Sequence, residues 1–213
     1  MEKKEIKEKI HYTLTIILAG YENTGKTTLI NSIISPKQKL NKYIPTIGAE
    51  LKTGLIETII NHQNYSFIIK FIELSGQSRF RSLINPKMVQ KGDIMIFVYN
   101  YNDAKSFDKL RDIYVNCFDN FDKKPLCYLL CNKADIVNDN IDDYENYDLK
   151  EEVLEFCEEN NINFLYCSNF LENCTKFCHN SDYYEDKNNL FKNILKEVII
   201  PNYFKYKNIP INE

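Results

Sequence analysis

The residues with the clearest chemical purpose lie in the stretch "GYENTGKTT", residues 20–28. Gly20 and Gly25 bracket four residues, and Lys26 and Thr27 follow directly. Backbone N–H groups at Glu22, Asn23 and Thr24 can curl round anionic oxygens in such a loop. Lys26 brings a point charge to the outer phosphates, and a helix starting there adds its dipole. Thr27 offers a hydroxyl to Mg²⁺, and Thr28 continues the same first turn. The spacing therefore reads as a phosphate cradle for a nucleotide. One residue works against it. Glu22 puts a carboxylate where a triphosphate would lie, an obstacle in size and in charge unless it turns out to solvent.

A second set closes the apolar run "LCYLLCNKAD". Asp135 at its end can accept both N–H groups of a guanine edge, and adenine has no such pair of donors. A site built on that pair rejects the wrong base strongly. Asn132 and Lys133 stand beside it. The tetrapeptide alone is common, but after a phosphate cradle and at the end of a buried strand it is informative.

These residues need a scaffold that brings them together. The runs "YTLTIILAG", "DIMIFVYN", "LCYLLCN" and "INFLYCS" read as strands, the middle two as nearly unbroken apolar ones of a buried parallel sheet. "ELKTGLIETIIN" and "YSFIIKFIEL" flank the polar "HQN" and read as a hairpin. "KTTLINSII", "AKSFDKLRDIYVNCF", "LKEEVLEFCEENN" and "NLFKNILKEVII" have helical spacing, the last ending before Pro201, and Phe107, Leu110 and Tyr114 share one face of the second. Strands alternating with helices predict an α/β fold with a mostly parallel sheet. Right-handed crossovers then put "GYENTGKT", "ELSGQ" and "NKAD" at the carboxyl edge, where such sheets bind ligands.

Composition sets bounds. The 213 residues are 44% apolar, which is enough for one domain with its own core. A formal charge of -3 gives no basic surface for nucleic acid or for an acidic membrane. The seven cysteines, with no apolar leader in "MEKKEIKEKIHY", predict free thiols in a reducing, cytoplasmic setting. Cys117, Cys127, Cys131 and Cys157 read as small core residues. Cys174, Cys178 and His179 form one group without a second ligand pair and are read as surface residues, not a metal site.

With these motifs in hand, the chain resembles the Ras superfamily of small GTPases, and the Rab branch most closely. The resemblance is carried by Gly20 to Thr27, by "PTIGAE" from Pro45, "GQSRFRSL" from Gly76, "NKAD" from Asn132 and "CSN" from Cys167. It implies a P-loop G domain: a mostly parallel six-stranded sheet with one antiparallel strand and helices on both faces. It also implies GTP and GDP as ligands, Mg²⁺ as cofactor and a molecular switch read by protein effectors and regulators. Thr46 matches the threonine that closes on Mg²⁺ and the γ-phosphate, and Gly76 the glycine whose N–H senses that phosphate. Gln77 matches the glutamine that orients the attacking water, so Gln77, Lys26 and Thr46 form the implied catalytic set. Lys133 matches the lysine over base and ribose, and Ser168 the serine of the last guanine loop.

Several positions depart from the family pattern. Glu73 stands where the family has an aspartate that holds a Mg²⁺-bound water, and Mg²⁺ is strict about geometry. The implied metal set is thus Thr27, Thr46 and Glu73. After Ser168 come Asn169 and Phe170 instead of alanine and lysine, with only the backbone N–H of Asn169 able to act in the usual way. Leu51 and Ile72 replace two aromatic residues that Rab proteins present between the switches. "FKYKNIPINE" has no cysteine for prenylation, so membrane recruitment is expected through protein partners and not through a lipid anchor.

The expected organisation is an extension over residues 1–11, a G domain over 12–200 with insertions near 136–148 and 169–187, and a tail over 201–213. Two functions compete: a trafficking switch with slow GTP hydrolysis, and a guanine-nucleotide-bound scaffold with little or none, which Glu22 and Glu73 favour. An ATP-using P-loop kinase leaves "NKAD" and "TIG" unexplained.

Overall fold

The computed structural model describes residues 9–35, 45–77, 89–118, 124–133, 144–167 and 190–210, with only the backbone described at 144–150 and 190. Strand β1 (Ile10–Ala19) runs into the phosphate loop and α1 (Lys26–Ile34). Strands β2 (Ala49–Ile60) and β3 (Gln63–Leu74) form a hairpin. Its turn is Asn61–His62, with φ of 45° and 62°, the positive values that let a two-residue turn follow the strand twist. Then come β4 (Ile94–Asn100), α2 (Ala104–Phe118), β5 (Leu126–Asn132), α3 (Tyr144–Asn160) and β6 (Asn163–Tyr166). The chain closes with α4 (Leu190–Ile194), a π-helical turn (Leu195–Ile199) and α5 (Ile200–Tyr206).

The sheet has six strands in the order β2-β3-β1-β4-β5-β6. Only β2, against β3, is antiparallel. This is the mixed sheet of a G domain. The period-two alternation of the central strands divides the core. Leu14, Ile16 and Leu18 of β1, with Ile94, Ile96 and Val98 of β4, face Leu29 of α1 and Phe191, Leu195 and Phe204 of the closing helices. Ile17 and Ala19 of β1, with Met95 and Phe97 of β4, face Phe107, Leu110 and Tyr114 of α2 and Val153 and Cys157 of α3. Both faces of β4 and β5 are covered, which is why their sequences are apolar without interruption. The cysteines 117, 127, 131 and 157 are buried thiols in that second layer.

Three expectations change. Strand β1 starts at Ile10, paired with Tyr65 of β3, so residues 10–11 are strand and not extension. The closing helix does not stop at Pro201. Proline lacks an N–H and clashes with the preceding turn inside a regular helix. Here the wider π turn directly precedes it, and Pro201 sits in the first turn of α5, where no N–H is needed. Tyr203 and Phe204 are buried, so α5 packs onto the core and residues 201–206 are helix and not tail. Phe204 packs among Tyr12, Tyr65 and Phe67, while the Tyr203 hydroxyl donates to Asp93 Oδ1 at 2.9 Å. Asp93 Oδ2 accepts the Thr15 N–H at 2.9 Å, so one carboxylate ties the last helix to the first strand. Likewise α3 starts at Tyr144, so the backbone of residues 144–148 is helix and not insertion. Acidic residues suit a helix start because they complement its dipole. The rest of that segment, and the one at 169–187 with Cys174, Cys178 and His179, lie outside the described residues. Among the described residues, no helix is long and apolar enough to cross a membrane.

Candidate functional site

The parallel strands β1, β3, β4 and β5 deliver their ends to one edge of the sheet, and the site is built there. Beyond β1 the chain turns back on itself before α1. Gly25 takes φ of 92°, and a Cβ on it would come within 2.4 Å of Asn132 Nδ2. Any other residue would strain the backbone and collide with β5. Asn132 is fully buried and donates from Nδ2 to Thr24 O at 2.8 Å. Lys133 donates to Asn23 O at 2.8 Å. Two members of "NKAD" are thus struts that hold the phosphate loop, a role the sequence did not suggest. The loop is also closed on itself, with Thr24 Oγ1 donating to Tyr21 O at 3.0 Å.

Lys26 is 4% exposed. Its ammonium donates to Gly20 O at 2.9 Å and Tyr21 O at 2.7 Å, which folds it back along the loop. Burial lowers its pKa from 10.5 to about 8, against the opposing pull of Glu73 and Glu22. A cation whose charge is penalised by burial in this way is suited to an anionic ligand that offsets the cost.

Glu73 is the penultimate residue of β3 and is 2% exposed. Its Oε1 accepts from Thr27 Oγ1 at 2.5 Å and from Thr46 Oγ1 at 3.1 Å. Its Oε2 is buried with no hydrogen-bond partner, and Lys52 Nζ stands 3.9 Å away. The extra methylene therefore carries the carboxylate directly to both hydroxyls. Among the described residues no group of three His, Cys, Asp or Glu side chains converges. Two hydroxyls and one carboxylate, whose second oxygen is unsatisfied, instead make a small all-oxygen donor set. Such a set fits Mg²⁺, which keeps waters and takes phosphate oxygens as its remaining ligands.

Gly76 follows Ser75. A Cβ on Gly76 would lie 2.3 Å from Glu22 N, so only glycine lets this segment approach the phosphate loop. Ser75 was not singled out by its residue type. Its hydroxyl donates to Thr46 O at 2.7 Å, and its N–H to Gly48 O at 2.7 Å. It ties the segment carrying Thr46 to the segment carrying Gly76 and Gln77. The only sequence signal was its place inside "ELSG".

Lys26, Thr27, Thr46, Glu73 and Gly76 line a cavity of about 700 Å³, with Thr28, Gln77 and Lys133 on its wall. Glu22 is half-buried and lines it too, and its charge reaches Lys26. The structure thus brings Gly20, Glu22, Asn23, Thr24, Gly25, Lys26, Thr27, Thr28, Thr46, Glu73, Gly76, Gln77, Asn132 and Lys133 to one edge. Asp135, Ser168, Asn169 and Phe170 lie outside the described residues. Leu51 and Ile72 face each other across β2 and β3.

Comparison with known proteins agrees with this architecture. A family model described as the Ras family matches residues 15–178, more than half of the chain. "GTP-binding protein YPT11" of Saccharomyces cerevisiae is 27% identical over 139 residues, 63% of this chain and 32% of that protein. "Ypt/Rab-type GTPase ypt71" of Schizosaccharomyces pombe is 29% identical over 99 residues, 46% of this chain and 45% of that protein. "ADP-ribosylation factor-like protein 6" of Caenorhabditis elegans is 27% identical over 99 residues, 46% of this chain and 47% of that protein. The chain thus spans from a third to just under half the length of these relatives.

Proposed function

Because the chain belongs to the Ras family of small GTPases and is Rab-like, we propose that it binds GTP and GDP with Mg²⁺ and acts as a switch that hydrolyses GTP slowly. One observation carries this reading: a buried ammonium, two hydroxyls and a buried carboxylate converge behind a braced phosphate loop. Lys26 and the loop N–H groups grip the β- and γ-phosphates. Thr27, Thr46 and Glu73 hold the metal, which neutralises charge on the phosphate oxygens. Gln77, on the cavity wall, orients the attacking water. Asp135 selects guanine, with Lys133 over the base and Ser168, Asn169 and Phe170 forming the last loop. Catalysis here is positioning and charge stabilisation, so no covalent step is asked of the protein. The two states differ at the segments of Thr46 and Gly76, which Ser75 links. Protein effectors and regulators read those segments, in trafficking on membranes to which partners recruit the chain.

A second reading rests on Glu22. A half-buried carboxylate on the cavity wall opposes a γ-phosphate and any cation a partner would insert. On this reading the chain is a guanine-nucleotide-bound scaffold with little or no turnover.

Extraction of the co-purifying nucleotide, followed by single-turnover hydrolysis with and without Mg²⁺, tests both. Bound GDP and a slow magnesium-dependent rate support the switch. Stoichiometric GTP that persists supports the scaffold, and Glu22→Gly should then raise the rate. Protein that is empty and indifferent to guanosine phosphates overturns both readings. In the switch, Gln77→Leu should remove most of the turnover and leave GTP affinity in place.

A further inference from the structure

Strand β2 is the outermost strand of the sheet, and among the described residues nothing pairs with its outer side. It is also long, from Ala49 to Ile60. One row of its side chains meets α1 and the core, with Ile56 and Ile60 buried. The opposite row carries Leu51, Leu55 and Ile59, which are 64%, 59% and 67% exposed. Ile68 of β3, opposite Leu55, widens this apolar stripe and is itself exposed. A long, apolar, unpaired edge is a template for another strand.

The pattern of the stripe names that strand. Leu51 and Ile59 lie four residues either side of Leu55. An antiparallel second copy of β2, related by a two-fold axis at Leu55, therefore sets Leu55 opposite Leu55 and Leu51 opposite Ile59. In the same register Thr53 meets Glu57, Lys52 meets Thr58 and Glu50 meets Ile60, so no like charges oppose. A slip of two residues sets Leu55 against Thr53 or Glu57 and loses the match, and a slip of one turns the stripe to the wrong face. The backbone agrees. The pair flanking the two-residue turn, Ile60 and Gln63, is hydrogen-bonded in such hairpins. Counting back from it, the N–H and C=O groups of Leu51, Thr53, Leu55, Glu57 and Ile59 point to the free edge.

We infer that β2 is a self-pairing edge: two copies of this chain join antiparallel through β2, with Leu55 on the two-fold axis, and continue one sheet across the dimer. Such an interface is narrow, so the dimer is reversible and depends on concentration.

Sedimentation equilibrium of the full chain over about two decades of concentration tests this. The expected mass climbs from 25.2 kDa towards twice that value. Leu55→Glu, at an exposed position, should hold the chain at the monomer mass, with a melting curve equal to the parent's at concentrations where the parent is monomeric. A charge pair tests the register independently. Thr53→Lys should tighten the dimer by about fivefold, because each copy then faces Glu57 of the other, and Thr53→Glu should weaken it by about as much. Within one chain the neighbour of Thr53 is Lys70, so any effect on monomer stability has the opposite sign. Leu55→Cys, with Cys174 and Cys178 replaced by Ser, should form a disulfide dimer faster than Val115→Cys on exposed α2. A mass fixed at 25.2 kDa overturns the inference, as does a dimer that ignores Leu55→Glu or the sign of the charge at Thr53. Slow amide exchange at Leu55 in a monomer would mean that the chain covers its own edge, and would overturn it too.

Discussion

At the scale of single residues, the site is a balance between buried charges. Lys26 has a pKa of about 8 because burial penalises its charged form more than Glu73 and Glu22 favour it. Its folded value lies below the unfolded 10.5, so the unfolded chain holds the extra proton between the two. Stability of the nucleotide-free protein should therefore rise as pH climbs from about 8 to about 10.5. That contribution is on the order of 3 kcal/mol. Melting curves across this range should show the rise in the parent chain and its absence in Lys26→Met. Glu73 is the second such residue. Among the described residues it is the carboxylate that touches both Thr27 and Thr46. Glu73→Gln keeps the shape and removes the charge, and should weaken Mn²⁺ binding to the GDP-loaded protein at least tenfold, on the order expected for losing a charged ligand. Electron paramagnetic resonance titration reads this without reference to turnover. Equal Mn²⁺ affinity in parent and variant would remove Glu73 from the metal set.

At the scale of elements, the phosphate loop owes its shape to a strand that is distant in sequence. Asn132 at the end of β5 holds Thr24, and Lys133 holds Asn23. Asn132→Ala removes the first strut and leaves a buried carbonyl without its donor. The cost should be about 1–3 kcal/mol in stability. Nucleotide dissociation should speed up about tenfold, since the braced loop is what the phosphates bind. Fluorescent GDP release measures this, and a variant with parent-like release would show that the loop keeps its shape unaided. On the proposed reading "NKAD" has two jobs. Its tetrapeptide announces the base-reading one, whereas the bracing one exists only because β5 lies two strands from β1 in the sheet.

At the scale of the whole molecule, two apolar layers share one sheet, and the site sits on the edge common to both. Ligand binding should then stabilise the molecule as a unit. Excess GDP with Mg²⁺, at about a hundredfold over its dissociation constant, adds about 2.7 kcal/mol. That corresponds to a rise of roughly 5–10 °C in Tm for a chain of this size. ATP should leave Tm unchanged if guanine is selected, and Lys26→Met should abolish the GDP shift. A shift of equal size with ATP would count against the guanine reading.

The sequence by itself determined the order of strands and helices and the phosphate loop. Each of these is written in local periodicity and in residue types that permit few backbones. The helix α2 and the unbroken strands β4 and β5 were legible because burial on one face, or on two, repeats at fixed spacing. What only the tertiary structure decided depends on contacts between distant residues. Pro201 ends a helix by every local rule, yet a π turn and the burial of Phe204 against Tyr12 and Phe67 carry the chain through it. Glu73 read as a misplaced carboxylate. Its reach to Thr27 and Thr46 became visible only once β3 and α1 stood side by side. Ser75 and Asn132 act through carbonyls of other segments, and no spacing along the chain records which carbonyl a fold will bring near.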